Sequence, residues 1–120
     1  MSLESIKDDG FVYFTDWTFP DGRIRLKSLE GDDEAACLYA FVIRDEVMYV
    51  GQTGRLVRER MDNYRDGNQE QNSRIRKLIK DASLAGEVVQ IWKRVCKDDE
   101  LRNKEEARLR EELDPAWNRE

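Results

Sequence analysis

The chain of 120 residues has no histidine, two cysteines, two prolines and no long apolar run. Each shortage removes a class of function. Without histidine, the usual general base is missing, so acid–base chemistry would fall to carboxylate, tyrosine, lysine or a metal-bound water. Cys37 and Cys96 are far apart, form no CxxC pair and have no histidine to join them, so a zinc site is not expected. Both lie in apolar stretches and read as buried free thiols. The lack of a long apolar segment leaves no transmembrane helix. "MSLESIKDDG" at the start has no basic-then-apolar signal pattern, so the expectation is a soluble intracellular, cytoplasmic protein.

Charge is abundant but unevenly placed. Residues 1–36 carry four basic and nine acidic groups, which accounts for the whole net charge of −5. Residues 55–80 hold eight basic groups against four acidic ones, so a polyanion would find its attractive surface there. A solvated helix face of mixed charge is the plainer reading of charge alone.

Periodicity supplies the elements. "FVYFTDW" (11–17) and "RIRLKSL" (23–29) flank the turn signal "FPDG" and predict an N-terminal β-hairpin, followed by an acidic loop at 30–35. "CLYAFVIRDEVMYVGQT" (37–53) predicts two strands, about 37–44 and 47–52, bent at "RDE". Leu56, Val57, Arg60, Met61 and Tyr64 share a helical face up to Gly67, and Ile75, Leu78, Ile79 and Ala82 share another up to Gly86. "EVVQIWKRV" (87–95) reads as a strand, and residues 97–113 as a last helix, acidic at its start and ended by Pro115. The fold class is therefore α+β: a small, mostly antiparallel central β-sheet flanked by helices, with an extra N-terminal hairpin. Residues 1–35 are expected to form an N-terminal extension and 36–120 the main domain.

Within that order stand "CLY" (37–39), "YVG" (49–51), Arg60 with Tyr64 one turn later, and "EARLREELDPAWN" (106–118). Over about residues 36–118 this set resembles the GIY-YIG endonuclease superfamily, with spacing similar to the nuclease domain of the excision-repair incision subunit. The family has an arginine about ten residues beyond its second tyrosine. Arg60 is eleven positions beyond Tyr49, so Arg58 is the alternative. Glu106, twelve positions before Asn118, matches the family's metal-binding glutamate, and Glu105 is the fallback. Cys37 stands where the family begins its first motif with glycine. Its Cβ matters if the backbone there takes a positive φ or approaches DNA closely.

The resemblance implies a divalent-metal-dependent DNA endonuclease that hydrolyses a phosphodiester bond in a single-metal site. Glu106 would hold Mg²⁺ or Mn²⁺ together with waters. Arg60 would stabilise negative charge on the scissile phosphate through its planar fork. Tyr39 would act as general base and Tyr49 would position water or phosphate. Tyr64 would hydrogen-bond to phosphate or water, Gly51 would allow close backbone approach, and Asn118 would organise the site. Trp117 reads as core. DNA contacts beyond the site would come from Arg55, Arg58, Arg74, Arg76, Lys77 and Lys80, each steepening the salt dependence of binding. With so acidic an N-terminal part, target selection is expected to use a protein partner or a homodimer. A catalytically inactive nucleic-acid-binding module and a protein-interaction domain of the same fold are the competing readings. DNA repair, restriction and recombination all fit such an enzyme.

Overall fold

A computed structural model describes residues 3–20, 22–27 and 35–119. A short helix α1 (Leu3–Asp8) comes first, then strands β1 (Val12–Thr18), β2 (Arg25–Leu26), β3 (Ala35–Ile43) and β4 (Glu46–Leu56). Helices α2 (Val57–Asp66) and α3 (Glu70–Leu84), strand β5 (Val89–Val95) and helix α4 (Asp99–Leu113) follow, and a 3₁₀ turn (Ala116–Asn118) closes the chain. The strands form one five-stranded antiparallel sheet in the order β2-β1-β5-β3-β4. It is an α+β fold with a small antiparallel sheet covered by helices.

The expected elements are present, with shifted ends. The N-terminal hairpin exists as β1 paired to the two-residue β2, and β1 also pairs with β5. The acidic loop expected at 30–35 lies outside the described residues except for Ala35, the first residue of β3. Helix α1 was not signalled by periodicity. Its six residues are too few for a clear helical stripe, and its Leu3 and Ile6 are buried by tertiary packing. The bend at "RDE" is a two-residue turn. Arg44 and Asp45 both take positive φ, 48° and 64°, the twist that a tight hairpin requires.

Alternation sorts the core into two clusters, one on each sheet face. Tyr39, Phe41 and Tyr49 lie in one, with Met61 and Tyr64 of α2 and Ile75 and Ile79 of α3. Leu38, Ala40, Val42, Val47 and Val50 lie in the other, with Leu3 and Ile6 of α1 and Leu109 and Leu113 of α4. Strand β3 has neighbours on both sides and is buried on both faces, so it reads as nearly continuous apolar sequence. Ile75 and Ile79 are fully buried, each contributing about 1.5–3 kcal/mol through transfer from water. Cys37 is a fully buried strand residue, and positive φ falls on its neighbour Ala36 (64°) instead. The cysteine thus occupies ordinary strand backbone, and both cysteines are buried and outside any disulfide, as expected.

After Leu113 the chain crosses from one sheet face to the other. Asp114 adopts the left-handed conformation and ends α4 ahead of Pro115. Trp117 then buries among the α2–α3 cluster. Among the described residues, no helix is long and apolar enough to cross a membrane.

Candidate active site

Three tyrosines meet where β3, β4 and α2 pack together. Tyr39 and Tyr49 share a sheet face because Tyr39 pairs with Gly51 and Phe41 with Tyr49 across the β3–β4 ladder. Tyr64 reaches the same place from α2, at i+7 from Val57 and i+3 from Met61 on its inward stripe. Its hydroxyl lies 2.6 Å from that of Tyr39 and donates to that of Tyr49 at 3.2 Å. Gln71 of α3 donates to the Tyr49 hydroxyl at 3.4 Å, so the phenol chain ends at a surface side chain.

The buried phenols are hard to ionise. Burial pushes the Tyr39 phenol well above its ordinary value of about 10, and the charge of Arg60 offsets part of that shift. Burial also pushes Tyr64 up, with the Tyr39 and Tyr49 phenols adding to the effect. Both hydroxyls are therefore protonated at neutral pH.

Arg60 is the charged member of the group. Its guanidinium carbon lies 4.1 Å from the Tyr64 ring centroid, a cation–π stack. Nη1 donates to Asn72 Oδ1 at 3.1 Å. Burial opposes its charge, and the surrounding phenol oxygens of Tyr39, Tyr64 and Tyr49 outweigh that effect, so it stays cationic. Asn72 and the Tyr39 hydroxyl take hydrogen bonds from it and the Tyr64 ring takes one face, while the guanidinium fork carries five N–H groups. Arg58, the alternative, is exposed and does not join the tyrosine group in the described contacts. Asn72 was missed by sequence reasoning. Its signal was a polar residue at i−3 from Ile75 and i−7 from Ile79, on the buried stripe of α3.

Gly51 is required by Tyr39. A Cβ at position 51 would lie 2.6 Å from the Tyr39 Cζ and hydroxyl oxygen. Gly51→Ala should therefore force the ring off its place. We expect a loss of about 1–3 kcal/mol in urea unfolding, with a smaller loss for Gly54→Ala, whose added Cβ meets only the tip of Arg102 at 3.5 Å. Equal losses at the two positions would show that the Tyr39 contact is unimportant.

Asn118 clamps the edge of β4. Its Oδ1 accepts from Val50 N at 2.8 Å, and its Nδ2 donates to Val50 O at 2.9 Å. Val50 lies between Tyr49 and Gly51, so this side-chain amide fixes the strand on which both stand. Arg74 holds the same tail by donating to Trp117 O at 2.8 Å.

Glu106 stands apart from the phenols. It lies on the stripe Arg102, Glu106, Leu109 and Leu113 of α4, the stripe whose other three members are buried. Arg102 donates to Gln52 Oε1 at 2.7 Å, and the neighbouring Asn103 side chain accepts from Gln52 Nε2, so this side of α4 rests on β4. Glu106 is half-buried, and among the described residues no hydrogen bond or ion pair holds it or joins it to the tyrosines. Desolvation pushes its carboxyl up, opposed only by Arg110. Glu105 is the opposite case. Arg94 and Arg108 donate to it at 3.0 and 2.7 Å, within a network that includes Asp9. Those hydrogen bonds, Arg108 first and Arg94 next, hold its carboxyl down at about 2. Glu105 is consumed structurally, whereas Glu106 is a carboxylate in a costly position with no hydrogen-bond or ion-pair partner among the described residues.

A cation caged by several side chains finds no support, because no group of three His, Cys, Asp or Glu converges among the described residues. Glu106 alone fits an ion that keeps most of its waters and takes one carboxylate. Of the expected DNA contacts, Arg55, Arg58, Lys77 and Lys80 are exposed. Arg74 and Arg76 already spend donors on backbone carbonyls, Arg76 on Tyr64 O at 2.8 Å and on Gly67 O.

The antiparallel sheet with its flanking helices is a fold that solved structures share. No family model and no curated protein matches the sequence. Among solved structures, the chain is similar to a point mutant of bacteriophage T4 EndoII. That match has a TM-score of 0.81 and 23% identity, and it covers 98% of each chain. It is also similar to the restriction endonuclease HPY188I in complex with product DNA, with a TM-score of 0.62 and 11% identity over 80% of this chain and 62% of that one.

Proposed function

We propose that the protein is a DNA endonuclease that hydrolyses a phosphodiester bond with the help of one divalent cation, Mg²⁺ or Mn²⁺. The observation that carries this reading is the convergence of Arg60 with the hydroxyls of Tyr39, Tyr49 and Tyr64. A cation aimed into a cluster of phenols, with N–H groups left beyond those that Asn72 and Tyr39 take, suits a phosphate better than it suits packing. The likeness to a restriction endonuclease in complex with product DNA supports the same substrate class.

In this reading Arg60 donates to non-bridging phosphate oxygens, and Asn72 and the Tyr64 ring keep its plane fixed. Tyr49, at the outer end of the phenol chain, orients the phosphate or the attacking water. The general-base role that the resemblance implies for Tyr39 does not fit a phenol that burial keeps protonated. In this reading Tyr39 holds the Tyr64 hydroxyl in place through their 2.6 Å contact, and the proton of the attacking water leaves to solvent. Asn118 and Gly51 hold the strand and the ring in register. Glu106 would hold the divalent cation, which when bound supplies charge neutralisation at the phosphoryl oxygens and the leaving oxygen. Exposed Arg55, Arg58, Lys77 and Lys80 would carry the flanking backbone.

The test is nicking of supercoiled plasmid by the purified chain with Mg²⁺ or Mn²⁺, and with EDTA. Conversion to open circles that stops in EDTA is the expected result. Binding without cleavage under all metals would favour the inactive binding module. Neither binding nor cleavage would favour the protein-interaction domain.

A further inference from the structure

A cavity of about 190 Å³ lies between the β1–β2 connection and the α2–α3 pair. Four cations line it: Arg23 from the connection, Arg65 at the end of α2, and Arg76 and Lys80 on successive turns of α3. No carboxylate lines it among the described residues. This is a concentration of positive charge in a chain whose net charge is −5.

The cations are held in different ways. Arg76 donates Nε to Tyr64 O at 2.8 Å and a second N–H to Gly67 O. Its guanidinium is thus immobilised before any ligand arrives, with further N–H groups to offer. Lys80 Nζ rests 5.7 Å from the Phe19 ring, and Phe19 also lines the cavity. Arg65 is neutralised by Asp66 at 2.9 Å and Asp62 at 3.4 Å. Arg23, Arg76 and Lys80 have no ion pair among the described residues. Asp66 also acts electrostatically on Arg23 and Arg76, so four cations face the two carboxylates of Asp62 and Asp66, and the positive charge left over around one concavity raises the local anion concentration and matches an oxyanion with several oxygens.

We propose that this cavity binds a backbone phosphate of the DNA at a distance along the strand from the cleaved bond. The N-terminal hairpin would then serve as one wall of a substrate anchor. Arg76 ties the anchor to the active cluster, since the carbonyl it holds belongs to Tyr64. This inference rests on the endonuclease reading above and adds to it a specific second contact and the part played by Arg23.

The test uses the full chain and a fluorescent duplex of about 20 bp in EDTA, with anisotropy followed across a salt series. Arg23→Ala/Lys80→Ala removes two exposed side chains. Its plot of log K against log salt should be shallower by about one to two units, with affinity lower by about tenfold or more. Lys7→Ala/Lys104→Ala makes the same charge change on the α1 and α4 side, and should leave the slope nearly unchanged. Wild-type slope and affinity in Arg23→Ala/Lys80→Ala would overturn the anchor while leaving a cutting enzyme intact. Equal losses in the two double variants would also overturn it, since net charge would then be the cause. Tighter binding of a polyglutamate peptide than of duplex, abolished by Arg23→Ala/Lys80→Ala, would reassign the cavity to an acidic protein partner. A wild-type chain that neither binds nor cuts DNA would remove the endonuclease reading itself.

Discussion

Arg60→Ala should lower the single-turnover rate of plasmid cleavage by on the order of 10²- to 10³-fold while leaving the affinity for DNA within a few-fold of wild type. The separation follows from where the charge sits. Arg60 is half-buried beside three phenols, so in the proposed site its field would act at the reacting phosphate. In the proposed site, flanking affinity would be carried by the exposed cations of β4, α2 and α3. Arg60→Lys should recover little, because an ammonium cannot stack on the Tyr64 ring, bond Asn72 and present a planar fork together. Some stability should be lost through the cation–π contact, about 0.5–2 kcal/mol. A rate measured well below the melting transition separates that loss from the chemical one. Arg58→Ala should change binding and its salt dependence more than the rate. A large rate loss in Arg58→Ala with a normal rate in Arg60→Ala would show that the arginine has been assigned to the wrong turn.

Glu106→Gln should abolish metal-dependent cleavage, again by on the order of 10²- to 10³-fold, and should at the same time leave the protein as stable as wild type or more stable near neutral pH. The sign follows from desolvation. The folded-state carboxyl of Glu106 is raised above its unfolded value, so its ionised form is disfavoured in the fold. Below the unfolded value of about 4.5 both states are protonated and the residue costs nothing. As pH rises through the folded value the cost appears in full, and glutamine removes it. Glu105→Gln should behave the other way. Its carboxyl is depressed to about 2 by Arg108 and Arg94. The stability it contributes is present above its unfolded value and is lost as pH falls toward 2. Cleavage should survive in Glu105→Gln, and urea unfolding at pH 7 should show a lower midpoint. Activity lost in Glu105→Gln and kept in Glu106→Gln would reverse the assignment of the two carboxylates.

Much of this arrangement could be read from residues alone, for identifiable reasons. Tyr39 and Tyr49 sit on adjacent strands of a tight hairpin; alternation allowed a shared face, and the β3–β4 register supplies it. Tyr64 lay on the apolar stripe of α2, and its position one turn after Arg60 was visible as spacing. Gly51 was legible as a close approach, but not what approaches: the partner is the Tyr39 ring, directly across the ladder. Asn72 and Gln71 were not legible, because they meet Arg60 and Tyr49 only through the α2–α3 packing. The choice between Glu105 and Glu106 could not be made from spacing. Adjacent helical positions differ by about 100° in direction, and only the fold shows one facing Arg94 and Arg108 while the other takes the inward stripe. The basic cavity was invisible too, since Arg23 is far in sequence from Arg65, Arg76 and Lys80.

The central claim is that Glu106 and the tyrosine–arginine cluster serve one phosphodiester site, although no direct bond joins them. The chain has four tyrosines, Tyr13, Tyr39, Tyr49 and Tyr64, and Tyr13 lies exposed against Trp92 on the sheet face that α1 and α4 cover, so it reports a cation that stays on the α4 side instead of entering the tyrosine cluster. Uniform 3-fluorotyrosine labelling therefore gives a small set of fluorine resonances, each assignable by Tyr→Phe substitution. Titration with Mn²⁺ should broaden Tyr39, Tyr49 and Tyr64 well before Tyr13, and Glu106→Gln should abolish that selectivity. Uniform broadening of all four, or selective broadening that persists in Glu106→Gln, would contradict the account.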